Sequence, residues 1–159
     1  MSLRRATEAD LGFIMDCERR PGYEPFVGSW EAPQHRATME DPDWCYLIGS
    51  RDGVDGGFVI LSGMNHRNRC LLLKRIASRD AGQGFGKAFL AEVTDWVFAE
   101  TNTHRFWLEV VEDNPRARHV YTSLGWKEEG VEREAFDRRD GPGRGNFVLM
   151  AMLKPEWRR

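Results

Sequence analysis

The sequence predicts a single α/β domain with a twisted mixed sheet and helices on both of its faces. Short strand-like apolar runs alternate along the chain with longer segments in which apolar residues recur every three or four positions, and these are the patterns of strands and amphipathic helices. The chain has 159 residues, a length that suits one hydrophobic core. No linker or internal repeat divides it, so we expect residues 1–159 to form one domain.

The first half of the chain predicts two helices followed by three strands. Thr7 and Asp10 have the spacing of a helix-capping box, and the apolar stripe that follows runs to Pro21 and Gly22, where a helix ends. A turn-forming segment, residues 53–56, separates two of the strands. The predicted elements are a strand over residues 3–5, helices over 11–20 and 33–40, and strands over 44–50, 57–61 and 70–76.

The second half of the chain predicts two helices and three further strands. Phe85, Phe89 and Val93 begin a stripe at spacings of three and four, which is one face of a helix, and Gly125 is typical of the residue that closes one. The predicted elements are helices over residues 86–100 and 114–124 and strands over 106–111, 126–137 and 146–153. The strands on either side of the first helix are expected to be parallel neighbours joined by a right-handed crossover.

Composition argues against several classes of protein. No apolar run approaches the roughly 20 residues of a membrane span, and a net charge of −2 argues against a general nucleic-acid binder. Cys17, Cys45 and Cys70 are widely spaced and the four histidines lack metal-ligand spacing, so neither a disulfide framework nor a metal site is predicted. The basic N-terminus has no apolar block behind it, and we expect a cytoplasmic protein that binds neither membrane nor nucleic acid.

The segment DAGQGFGK, residues 80–87, places three glycines directly before a predicted helix. A helix N-terminus attracts phosphate, and glycine allows the backbone to approach it closely. The spacing excludes the dinucleotide fingerprint, since Lys87 or Phe89 stands where a small residue is needed. It also excludes the Walker A loop, since Ala81 and Ala88 replace its first glycine and its hydroxyl residue. A tight turn without a ligand remains the alternative.

Residues 74–93 resemble the acyl-CoA-binding strand, loop and helix of the GNAT N-acetyltransferase family, whose loop pattern is Q/R-x-x-G-x-G/A. The run WLEVVEDNPRARHVYTSLGWKEEG is similar to the second block of that family, with five residues in register: Asn114, Ala117, Tyr121, Gly125 and Trp126. The last third of the chain is similar to the closing hairpin of the branch that contains ribosomal-protein N-terminal acetyltransferases. The resemblance covers nearly the whole chain.

This resemblance implies an acetyl-CoA-dependent N-acetyltransferase in which a primary amine attacks the thioester directly. It implies that the two central parallel strands splay apart to admit acetyl-CoA, and that Tyr121 protonates the leaving thiolate. The implied cofactor-binding residues are Ile76, Ala77, Ser78, Ala81, Gly82, Gln83, Gly84, Phe85, Gly86, Lys87, Asn114, Ala117 and Tyr121, with Lys87 and Arg116 as candidate phosphate partners. Residues 21–36 and the loop 137–146 are expected to flank the amine site, and Phe26 and Trp30, within the first of these segments, are expected to bind the acceptor.

The sequence departs from the family pattern at two places. Ala81 stands where glutamine or arginine is usual, although Arg79 fits the pattern two residues earlier, and the strand before the loop carries no glutamate. The general base is therefore unassigned, with these carboxylates as candidates: Glu24, Glu31, Glu109 and Glu112. Both departures keep open a non-catalytic acyl-CoA sensor or interaction domain, and a nucleotide-binding domain is a third hypothesis.

The acceptor amine and the oligomeric state also stay open. A peptide N-terminus, a polyamine, an aminoglycoside and a small amine all remain candidates. Acidic residues of the aromatic segment, Glu18, Glu24 and Glu31, suit a cationic amine. A homodimer formed through the last strands is common among relatives and is a further expectation.

Overall fold

Within residues 1–157, the part of the chain that the structure describes, seven strands form one mixed sheet and four α-helices pack on it. In this computed structural model the strands are β1 (Ser2–Arg5), β2 (Trp44–Arg51), β3 (Val54–Ser62), β4 (Cys70–Ser78), β5 (Arg105–Val111), β6 (Lys127–Asp137) and β7 (Arg144–Leu153). The helices are α1 (Leu11–Glu18), α2 (Ala32–Glu40), α3 (Phe85–Glu100) and α4 (Pro115–Ser123). The order of strands in the sheet is β1-β2-β3-β4-β5-β7-β6, so the predicted fold class is confirmed.

Two apolar clusters lie on opposite faces of the sheet, because successive strand residues point to opposite sides. On one face Phe89 and Val93 of α3 pack with Leu71 and with α4. On the other face Ile14 of α1 packs with Phe58. Helices therefore cover both faces, as the sequence predicts. No helix within residues 1–157 is both long and apolar enough to cross a membrane.

The two central parallel strands, β4 and β5, separate after three residue pairs. Their pairing runs from Cys70 with Arg105 to Leu72 with Trp107, although β4 continues to Ser78 and β5 to Val111. Beyond Leu72 the edge of β4 that faces β5 has no strand partner within residues 1–157. Backbone groups along such an edge can hydrogen-bond an extended ligand.

A β-bulge in β4 changes which side chains face which helix. Ile60 of β3 pairs with Arg75, whereas Leu61 pairs with Leu73, so Lys74 is an extra residue in β4. An extra residue shifts the alternation of side chains by one position. Leu73 consequently packs on the α3 side, while Arg75 points to the side of α1.

Candidate active site

A cavity of about 710 Å³ lies where β4 and β5 separate. Its wall is formed by β4, the glycine loop, the start of α3, the end of β5, α4, the loop that follows α1, the loop between β6 and β7, and β7. The sequence-predicted site residues that line it are Ile76, Ala77, Ser78, Ala81, Gly82, Gly84, Phe85, Gly86, Lys87, Asn114, Ala117, Tyr121 and Phe26. Gln83 and Trp30 do not line it.

Gln83 and Trp30 lie next to the cavity wall. Gln83 is exposed in the glycine loop, and its carbonyl oxygen accepts a hydrogen bond from Arg51 Nη1 at 3.3 Å. The Trp30 ring lies 4.6 Å from the guanidinium carbon of Arg75 and packs edge-on against Trp44 at 5.9 Å. Trp30 therefore contacts a cavity-lining residue, Arg75, rather than the cavity itself.

The glycine loop leads directly into α3. Gly84 is the N-cap with φ of 68°, and Gly82 has φ of 81°, a region that L side chains adopt only with strain. A Cβ atom placed on either residue, or on Gly86, would have no neighbour within 4 Å. Within the described residues no side chain caps the helix, so its first N–H groups are free to bind an anion. The start of α3 at Phe85 matches the register that puts Ala81 in the usual glutamine or arginine position.

The backbone of Ser78, at the end of β4, is already partly engaged. Its carbonyl oxygen accepts a hydrogen bond from Arg20 Nη1 at 3.0 Å, and its N–H donates to the Tyr23 hydroxyl at 3.4 Å. The guanidinium of Arg20 in turn stacks on the Tyr23 ring at 3.7 Å. Both side chains belong to the loop after α1, so this loop is anchored against the strand that borders the cavity.

Asn114 both caps α4 and lines the cavity. Its Oδ1 accepts a hydrogen bond from the Ala117 N–H at 3.2 Å, and Pro115 follows as the first helical residue. Proline at this position loses no helix hydrogen bond. Because an asparagine amide also has two N–H donors, capping leaves those donors for a ligand.

Tyr121 lies on α4 and is 8% exposed. Its ring packs edge-on against Trp126 at 5.6 Å between centroids. Burial raises the pKa of the Tyr121 hydroxyl well above its ordinary value, so this group keeps its proton throughout the physiological range. Within residues 1–157 no group hydrogen-bonds this hydroxyl, and Tyr121 lines the cavity.

Of the four carboxylates considered as a general base, only Glu109 lines the cavity. It lies on β5, and burial together with the neighbouring Glu132 raises the pKa of its carboxyl group. The other three point elsewhere: Glu31 is 85% exposed and pairs with an arginine, Glu24 accepts a backbone N–H, and Glu112 accepts an amide hydrogen bond. The tertiary structure thus places one of the four candidate carboxylates on the cavity wall.

A buried polar network behind the cavity was missed by the sequence analysis. Glu18 Oε2 accepts a hydrogen bond from Arg75 Nη1 at 2.5 Å, and Glu18 Oε1 lies 2.8 Å from His35 Nε2. The other ring nitrogen of His35 lies 2.7 Å from the Tyr46 hydroxyl. One signal was present, because Glu18 follows Ile14 by four positions and so shares the buried face of α1.

Comparison with known proteins agrees with this architecture. Residues 1–127 match a family model described as an acetyltransferase (GNAT) domain. The chain is 33% identical over 81 residues to spermidine N(1)-acetyltransferase of Vibrio cholerae, an alignment that spans 50% of this chain and 47% of that protein, so about half of each.

Solved structures with similar folds include two acetyltransferases. Spermidine N-acetyltransferase from Vibrio cholerae in complex with CoA and spermine superimposes with a TM-score of 0.83 at 21% identity, covering 98% of this chain and 96% of that chain. The ribosomal-protein-S18-alanine N-acetyltransferase from Escherichia coli gives 0.78 at 22% identity, covering 96% and 92%. At these identities the likeness establishes the fold.

Proposed function

Because the chain belongs to the GNAT acetyltransferase family, we propose that it is an acetyl-CoA-dependent N-acetyltransferase that moves the acetyl group directly to a primary amine. The observation that carries this proposal is the cavity between β4 and β5. It joins an uncapped helix N-terminus to a free strand edge, a protonated tyrosine and a carboxylate. One of the relatives named above is an N-acetyltransferase for spermidine, and the other is an N-acetyltransferase for an alanine of a ribosomal protein. The acceptor is an amine in both cases.

The residues of the cavity fit the parts of acetyl-CoA. The open space above Gly82, Gly84 and Gly86, together with the free N–H groups of α3, suits a pyrophosphate. Lys87 and Arg116 also line the cavity and would bind the remaining phosphate.

The strand edge fits the pantetheine arm. Ile76 and Ala77 lie beyond the last β4–β5 pair, so their backbone would hydrogen-bond the arm as an added strand. At Ser78, Arg20 and Tyr23 would have to give way or share the backbone groups that they now contact. Asn114 would bind an amide of the same arm through its free N–H donors.

Acetyl-CoA supplies an activated acyl group as a thioester. The acceptor ammonium must lose a proton before it attacks, and Glu109, with its raised pKa, is placed to accept it. As the C–N bond forms and the C–S bond breaks, Tyr121 donates its proton to the departing sulfur. Backbone N–H groups of β4 would stabilise the charge that develops on the carbonyl oxygen. The nitrogen loses its second proton to solvent as the amide forms, Tyr121 regains a proton from solvent, and Glu109 releases its proton to solvent before the next turnover.

Two measurements test this proposal. Thermal unfolding is followed with acetyl-CoA, CoA, ATP and NAD, and thiol release from acetyl-CoA is followed with a panel of primary amines. We expect acetyl-CoA and CoA each to raise the free energy of unfolding by about 2.7 kcal/mol over the unliganded protein at a hundredfold excess over Kd. ATP and NAD should stabilise the protein less. We also expect thiol release that depends on an amine.

Either alternative would give a different pattern. Stabilisation by CoA without turnover of any amine would favour the acyl-CoA sensor. Greater stabilisation by ATP or NAD than by acetyl-CoA would favour a nucleotide-binding domain. Both outcomes would contradict the proposed transferase.

A further inference from the structure

Two arginines from distant parts of the chain meet at the wall of the cavity. A Cβ atom placed on Gly28 would lie 2.7 Å from Arg75 Nη2 and 3.4 Å from Arg139 Nη2. The two nitrogens therefore lie close to a single point, and all three residues line the cavity. Arg75 comes from β4, Gly28 from the loop after α1, and Arg139 from the loop between β6 and β7.

The positive charge at this point is only partly neutralised. Arg75 gives one nitrogen, Nη1, to Glu18, and its Nη2 has no hydrogen-bond partner within residues 1–157. Arg139 forms no ion pair with any described residue. The nearby carboxylates Asp113 and Asp140 pair instead with Arg138.

The rest of the cavity wall does not supply the missing negative charge. Only two carboxylates of residues 1–157 line it, Asp80 and Glu109. Asp80 pairs with Arg79 in the glycine loop, and Glu109 is the residue assigned to accept the proton of the amine. The sequence suggested that Glu18 would help to attract a cationic amine. That expectation is wrong, because Glu18 is 2% exposed and is held by Arg75 and His35.

The first arginine is also fixed in position. Glu18 holds one side of the Arg75 guanidinium, and the Trp30 ring covers its face at 4.6 Å. Burial and the nearby charge of Arg139 both lower the pKa of Arg75. An anion at the meeting point would offset this repulsion, and a guanidinium pair matches the oxygens of a carboxylate or phosphate.

We propose that the acceptor is a primary amine that also carries an anionic oxygen group, a carboxylate or a phosphate, which binds between Arg75 and Arg139. This inference rests on the proposed transferase activity and narrows its substrate class. A polyamine would place a further ammonium group against the two guanidinium groups, so spermidine is expected to be a poor acceptor. Arg75 on β4 and Arg139 in the loop between β6 and β7 would then select the acceptor by charge, and Glu109 and Tyr121 would serve the chemistry.

Paired amines that differ only in the anionic group test the inference. The pairs are β-alanine with β-alaninamide and O-phosphoethanolamine with ethanolamine, and spermidine is measured beside them. Arg139→Gln removes the exposed arginine, whereas Arg67→Gln, in an exposed loop outside the cavity, removes an equal charge as a matched control. Arg139 is preferred to Arg75 because loss of Arg75 would leave Glu18 buried without its cation.

We expect at least one anionic amine to exceed its neutral twin about tenfold or more in kcat/KM, and the preferred pair identifies carboxylate or phosphate. Arg139→Gln should abolish this preference by raising KM for the anionic amine far more than KM for its neutral twin. Arg67→Gln should behave like the wild type in every assay.

Failure of the inference and failure of the proposed function give different results. Turnover of spermidine or of the neutral twins at rates equal to the anionic amines would overturn the inference while transferase activity stands. Retention of the anionic preference in Arg139→Gln would also overturn it. If no amine in the panel releases thiol, binding of the same amines to the CoA-saturated protein is measured by the shift in its thermal unfolding temperature, and this measurement tests the inference. A shift that is specific to anionic amines and lost in Arg139→Gln supports the inference, and its absence refutes it.

Discussion

Replacing Tyr121 with phenylalanine removes one oxygen atom from a ring that packs against Trp126 at 5.6 Å. Within residues 1–157 no group hydrogen-bonds that oxygen, so the substitution breaks no bond inside the protein. Tyr121 lines the cavity, and its oxygen is not among the fully buried polar atoms that lack a partner, so its removal relieves little desolvation cost. The free energy of unfolding of Tyr121→Phe should therefore change little.

The effect on the reaction should be large, because the same hydroxyl is the proposed proton donor to the leaving sulfur. Loss of a positioned general acid typically lowers the rate by about 10² to 10⁴, which corresponds to roughly 3–5 kcal/mol of activation free energy. Binding of acetyl-CoA does not require this proton. Tyr121→Phe should therefore lower kcat while stabilisation by acetyl-CoA is unchanged.

Tyr46→Phe is the matched control. Tyr46 is also buried, but it lies outside the cavity and its hydroxyl is 2.7 Å from His35 Nδ1. Its removal should cost about 1–3 kcal/mol of stability and change kcat far less than Tyr121→Phe does. Thermal unfolding and steady-state thiol release measure both variants. Unaltered turnover by Tyr121→Phe would remove this tyrosine from the mechanism.

Three further predictions follow from the same geometry. Glu109→Gln should be slower by about 10² or more. Because the base acts deprotonated and its pKa is raised, wild-type kcat/KM should fall as pH drops through a value above the ordinary ~4.3. The variant should lack this limb, and an identical pH profile would contradict the role. Gly84→Ala should cost roughly 1–2 kcal/mol at its φ of 68° and weaken stabilisation by acetyl-CoA. Gly12→Ala, where φ is ordinary and space is open, should not destabilise the protein, and equal thermal shifts for the two would refute the strain argument. Glu18→Gln should lower the free energy of unfolding, measured with denaturant, by about 3–5 kcal/mol because Arg75 loses its buried counter-ion. A decrease below ~1 kcal/mol would mean that solvent already screens the charge of Arg75.

The sequence predicted most element boundaries to within a few residues. The capping pattern at Thr7, the proline at position 21 and Gly125 act on their immediate neighbours, so their effect is readable without a fold. The register of the glycine loop was predicted for the same reason, since the stripe of α3 begins at Phe85, where the helix begins.

Two features of the site, a bulge in β4 and the position of Glu109, depended on the tertiary structure. Lys74 forms a bulge only because β3 and β4 pair in one register, and nothing in the run from Cys70 to Ser78 marks it. Glu109 stands apart from the other candidate carboxylates only because β5 separates from β4.

The meeting of Arg75 and Arg139 at Gly28 shows most clearly where local information ends. Helix stripes, caps and loop glycines depend on residues a few positions apart, so the sequence alone determined the order of elements and the position of the glycine loop. The charge of the proposed acceptor site depends on strand register and on two distant loops that pack at one point. Only the tertiary structure decided it, because no short-range pattern relates residues so far apart in the chain.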